Sequence, residues 1–152
     1  MKKTLAFLGV SGLAVVIVCA IGIAWLLVEK PKLDAKLTCP RSVIVGETFD
    51  LVLETRNRHS DSIILDSIDV DTGFLSGFKI VSITPQPMEP YDIGIIGMRS
   101  WGFGESVSPG ESLTVTFTLT AVKQGHYKGD VDVCNPNQDF TTVIPNVDIL
   151  AE

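Results

Sequence analysis

From Leu113 to Ala121 the chain reads LTVTFTLTA. Apolar residues take every second position and threonines the positions between. Successive side chains of a strand point to opposite faces, so Leu113, Val115, Phe117, Leu119 and Ala121 are expected on a core and Thr114, Thr116, Thr118 and Thr120 toward water. β-Branched threonine suits such a solvated sheet face. Just upstream, Ser108-Pro109-Gly110-Glu111 reads as a turn, because proline presets φ and glycine supplies a positive φ. A chain holding this segment has to build a sheet with one buried face.

The same period recurs along the chain. Thr48 to Arg56 alternates Phe49, Leu51 and Leu53 with Asp50, Glu54 and Arg56. Ser62 to Asp71 is another run, with Ile68 and Val70 opposite Asp69 and Asp71, although consecutive Ile63, Ile64 and Leu65 leave its register open. Further strands are expected at 36–45, interrupted by Cys39-Pro40, and at 77–84, 99–106, 127–133 and 140–150. Pro40 cannot donate to a ladder, which suits an edge or a bulge. Seven or so strands without helical periodicity predict an all-β, antiparallel, immunoglobulin-like β-sandwich. Gly125-His126-Tyr127 is placed like a tyrosine corner, where a tyrosine near the start of the penultimate strand ties the sandwich together.

A second feature governs the N-terminus. Leu5 to Val28, LAFLGVSGLAVVIVCAIGIAWLLV, has no charged residue. As a helix it would be about 36 Å long, enough to cross a hydrocarbon core of about 30 Å. A cleaved signal after Ala20 would leave an apolar new terminus, and bulky Val18 before Cys19 does not suit a lipoprotein. The expected organisation is a cytoplasmic start at 1–4, a transmembrane helix at 5–28, a linker at 29–36 and a sandwich domain at 37–152. The Met-Lys-Lys start places the N-terminus in the cytoplasm and the domain outside it, although Lys30, Lys32, Lys36 and Arg41 follow the span and a count of positive charges does not favour this orientation.

From Leu37 onward sixteen acidic residues face seven basic ones. Phosphates would be repelled, so the domain is not expected to bind nucleic acid. No Gly-x-Ser-x-Gly, P-loop, Cys-x-x-Cys or histidine pair is present, and His59 and His126 lie in different turns. No catalytic residue, metal ligand or cofactor is expected, and the protein is not expected to be an enzyme. Asp66, Asp69 and Asp71 before Gly73 are a poor calcium loop, without the distal glutamate of an EF-hand.

The Ser-Pro-Gly-Glu turn, the alternating strand ending in alanine, and the Gly-x-Tyr-x-Gly-Asp-Val-x-Val that follows resemble bacterial immunoglobulin-like domains of the CARDB-like, cell-adhesion-related kind. Val45 to Asn57, VGETFDLVLETRN, is similar to their second strand. The resemblance covers most of 37–150 and implies adhesion, envelope assembly or display. The expected function is a membrane-anchored, extracytoplasmic module that binds a protein of the cell envelope. The alternatives are a glycan- or calcium-binding module, or an accessory or assembly subunit of an envelope complex.

Two sets of residues are singled out. In an immunoglobulin-like topology Cys39 and Cys134 would end at the same pole, which allows a disulfide in an extracytoplasmic domain. Within Pro85 to Gly104, the apolar and aromatic residues Tyr91, Ile93, Met98, Trp101 and Phe103 are candidates for a partner-binding surface. Folding back onto the core is the competing use of the same residues.

Overall fold

The computed structural model describes residues 32–151. The expected cytoplasmic start, the span at 5–28 and the first linker residues lie outside the described residues. Among those described, no helix is long and apolar enough to cross a membrane.

Three sheets share one core. A four-stranded sheet has the order β1 (Asp34–Thr38), β3 (Thr48–Arg56), β8 (Ser112–Ala121) and β5 (Phe78–Thr84). A five-stranded sheet has the order β11 (Phe140–Val143), β10 (Val131–Cys134), β4 (Ile63–Asp71), β7 (Met98–Val107) and β6 (Tyr91–Ile93). A smaller sheet joins β2 (Ser42–Ile44), β12 (Asn146–Leu150) and β9 (Gly125–Lys128). One helical turn, α1 (Thr72–Leu75), follows β4 and is capped by Asp71, whose Oδ1 accepts from the Phe74 N–H at 2.9 Å.

The strand β8 alternates as its sequence requires. Val115, Phe117, Leu119 and Ala121 are buried, and β3 pairs with it over its whole length. From the facing sheet come Leu65, Ile68, Val70, Trp101, Val131 and Val133. Trp101 meets Phe117 edge to face, with ring centroids 5.4 Å apart. In β4 the ambiguous register is settled by a bulge. Pairing with β7 shifts between Leu65 and Ser67, so Ile63 and Leu65 point inward before it and Ile68 and Val70 after it.

The strand count differs from the expected seven. Three expected strands are each cut in two, and the halves join different sheets. The 36–45 run divides at Cys39-Pro40 into β1 and β2, and the 140–150 run divides at Ile144-Pro145 into β11 and β12. Proline lacks the N–H a continuing ladder needs. The 127–133 run divides at Gly129 into β9 and β10. A Cβ at Gly129 would lie 2.8 Å from the Cβ atoms of Asp71 and Phe74, so the chain crosses where only glycine fits. Because β2 switches sheets, it runs parallel to β12, and the sandwich is not wholly antiparallel as expected.

Candidate interaction surface

The irregular segment 85–97 leads from β5 in one sheet to β7 in the other. Its second half forms β6, an edge strand paired with β7 through Tyr91↔Ser100, Asp92↔Arg99 and Ile93↔Met98. The turn between them closes with the Ile96 N–H donating to the Ile93 carbonyl at 3.2 Å and with Gly97 at φ 68°. Thr72 of α1 fixes this turn, since its backbone N–H and its hydroxyl each donate to the Gly97 carbonyl at 2.8 Å. At the base, Arg99 grips Asp92 through Nε at 2.6 Å and Nη2 at 3.2 Å. That bond holds the Asp92 carboxyl below its ordinary range and the Arg99 guanidinium above its own.

On this braced turn Ile95 is 101% exposed and Ile96 62%. Tyr91 (60%) and Met88 (64%) continue the apolar strip along the edge. Met88 belongs to this edge because its N–H donates to the Gly102 carbonyl at 2.9 Å, and a Cβ at Gly102 would touch its side chain. Val81, half exposed on β5, lines a shallow depression of ≈ 260 Å³ with Ile83, Pro87, Met88, Pro90 and Trp101.

The five residues expected to bind a partner are therefore divided. Tyr91 is exposed and Ile93 half-buried at the edge, whereas Met98, Trp101 and Phe103 are buried. Trp101 and Phe103 take the inward parity of β7 and join the core. Period-2 alternation within 98–107 carries that signal, but the glycines at 102 and 104 obscure it. Met88 was not among the sequence candidates, and three neighbouring prolines make its segment read as a loop.

The outer face of the five-stranded sheet begins at this edge. Across it runs the row Tyr91, Ser100, Asp69, Asp132 and Thr142. Beside it run Gly102, Ser67, Cys134 and Phe140. Ser67 and Ser100 are buried, while Met88, Tyr91 and Phe140 are exposed at the borders of this face. The Asp69 Oδ1 accepts from the hydroxyls of Ser100 at 2.5 Å and Ser67 at 3.0 Å, and the Cys134 thiol donates to its Oδ2 at 3.6 Å. Burial raises the Asp132 carboxyl above its ordinary range. The Thr142 hydroxyl, donating at 2.6 Å, opposes this, and Asp130 and Asp69 add to the rise.

Thiol, hydroxyls and carboxylates stand together here, but in the wrong order for nucleophilic chemistry. Burial and the neighbouring Asp69 charge push the Cys134 thiol up to about 12, so it stays protonated at neutral pH. Asp69 is occupied as an acceptor and Asp71 caps α1. Among the described residues no three His, Cys, Asp or Glu are grouped so that they could hold a metal ion. His126 pairs with Asp148 at 2.6 Å across β9 and β12.

The structure does not bring Cys39 and Cys134 together, and both are free. Cys39 leaves the C-terminal end of β1, where the backbone of Asn146 bonds to its thiol. It is the opposite end of β1 that reaches β11, through the Thr141 hydroxyl donating to the Leu33 carbonyl at 2.7 Å. The shared pole expected for the two cysteines fails because Cys39 follows the end of β1 that lies away from β11, whereas Cys134 pairs with Phe140 of β11. Tyr127, the expected corner residue, packs its ring on Gly77 and against Phe78 with centroids 5.4 Å apart.

No protein-family model matches the chain, and no curated protein is similar to it in sequence. Solved structures are similar in fold. A cohesin module from a Clostridium perfringens family 33 glycoside hydrolase superposes with a TM-score of 0.53 over 81% of this chain and 100% of that one, at 14% identity. The described domain is a β-sandwich. AvmM, which catalyzes macrocyclization in alchivemycin A biosynthesis, superposes with a TM-score of 0.51 over 79% of this chain and 89% of that one, at 11% identity. The CARDB domain of the PF1109 protein from Pyrococcus furiosus is also among the similar structures, with a TM-score of 0.49 over 80% and 90% of the two chains and 16% identity. A module of a glycoside hydrolase and a macrocyclization catalyst share this fold, so the fold alone assigns no activity.

Proposed function

We propose that the chain is a single-pass membrane protein of the cell envelope whose immunoglobulin-like domain lies outside the cytoplasm, is not catalytic, and binds a protein partner through the β6 edge and the β6–β7 turn. The observation that carries this reading is the pair Ile95 and Ile96, held in water on a turn that Thr72 and the Asp92–Arg99 pair make rigid. Exposed apolar side chains gain most when a partner covers them, and a fixed turn loses little entropy on binding. The uncharged run at 5–28 supports the anchor, and the Met-Lys-Lys start supports the orientation.

A photo-crosslinking side chain at position 95 of the full chain, in intact cells, tests the contact. The expected result is one defined protein adduct that disappears when Ile96 is changed to Asp. Adducts as diffuse as those from a crosslinker at Thr114, on the solvated face of β8, overturn the reading. Protease added to spheroplasts is expected to digest the domain, and full resistance overturns the orientation.

A further inference from the structure

The two large sheets differ in charge. On the strands of the four-stranded sheet, Lys36, Arg56 and Lys79 balance Asp34, Asp50 and Glu54. On the five-stranded sheet, β4 carries Asp66, Asp69 and Asp71, and β10 carries Asp132 just after Asp130. No lysine or arginine stands on β4, β6, β10 or β11. The one base of that sheet, Arg99 on β7, is engaged by Asp92. The outward parity of Asp69 and Asp132 puts these carboxylates on the outer face, between the apolar border of Met88 and Tyr91 and that of Phe140.

We propose that the outer face of the five-stranded sheet is a docking surface for a basic polypeptide segment, whose lysines or arginines lie over Asp66, Asp130 and Asp132 while its apolar side chains meet Met88, Tyr91 and Phe140. This rests on the reading of the β6 edge as a partner contact and adds the chemistry of the partner. Charge complementarity selects the occupant, since an acidic or phosphate-bearing surface is repelled by this face and attracted by none of its strands. The border side chains Met88, Tyr91 and Phe140 retain exposed apolar surface for the apolar residues of the same occupant. A divalent cation is a poorer fit, because Asp69 already accepts from Ser67, Ser100 and Cys134.

The test uses the full chain in phosphatidylcholine nanodiscs and a short fluorescent peptide of lysine, leucine and tyrosine. A second peptide with glutamate in place of lysine is the control. Binding is read by anisotropy at low and high salt. The lysine peptide is expected to bind, to weaken with salt, and to bind about tenfold or more weakly to the Asp66→Asn/Asp130→Asn/Asp132→Asn variant. Asp66 and Asp130 are exposed, and asparagine at 132 can still accept from Thr142, so the variant is expected to fold with an unchanged urea midpoint or a slightly higher one. Asp50→Asn/Glu54→Gln removes charge from the other sheet and is expected to leave binding unchanged. Equal binding of both peptides, or equal loss in both variants, overturns the proposal. If the adduct from position 95 persists in the triple variant, the edge contact stands and the basic partner does not. If calcium alone displaces the lysine peptide, the face is a cation site and the proposal also falls.

Discussion

Asn57 is completely buried where β3 ends, and its side chain closes three connections at once. Its Nδ2 donates to the carbonyls of Asp61 and Val107, both at 2.8 Å, and its Oδ1 accepts from the His59 N–H at 2.9 Å. Asn57→Ala leaves buried polar groups without partners, and urea unfolding should show a loss of about 2–3 kcal/mol. Asp132 acts in the opposite sense. Its folded-state carboxyl is raised, so the native state binds a proton more readily than the unfolded chain. The resulting destabilisation is fully present above the raised value and is relieved as pH falls through it toward the unfolded value. Asp132→Asn is therefore expected to raise the urea midpoint at neutral pH and to flatten its rise on mild acidification. Cys134 gives a third expectation. With its thiol moved from 9.0 to about 12, the native protein holds roughly a thousandfold less thiolate than an ordinary cysteine, so iodoacetamide should label it far more slowly than after denaturation.

At the scale of elements, strands with strict alternation were legible. The runs read at Thr48–Arg56 and Leu113–Ala121 are both strands, which the structure pairs with each other, and the Ser108–Glu111 turn closes with the Glu111 N–H on the Ser108 carbonyl at 3.0 Å. What the sequence did not reveal is which sheet each half of a long run joins. Pro40 and Pro145 mark breaks, but a break reads the same whether the chain resumes beside its old neighbour or crosses the core. β6 was missed because three residues among prolines are too few to display a period, and α1 because a single capped turn has none. The binding candidates divide the same way, with Tyr91 exposed and Ile93 half-buried on the edge strand and Met98, Trp101 and Phe103 of β7 buried. The glycine before β5 adds a test of packing. A Cβ at Gly77 would sit 2.5 Å from the Tyr127 ring. Gly77→Ala should cost about 1–3 kcal/mol in urea unfolding, and much less in a Tyr127→Leu background, because the two sites are coupled.

Across the whole domain, the second and the last described strands are connected. β2 lies parallel to β12, with the Val45 N–H on the Leu150 carbonyl at 3.0 Å and the Asp148 N–H on the Arg41 carbonyl at 2.9 Å. Two strands that run the same way and enter from opposite ends of the sequence slide past one another when those ends are drawn apart. Their bonds then bear the load side by side and fail together, whereas a hairpin opens one bond at a time. Sheet switching at Pro40 thus gives the β2–β12 pair a shear geometry, in which its backbone bonds share a load drawn between the two strands.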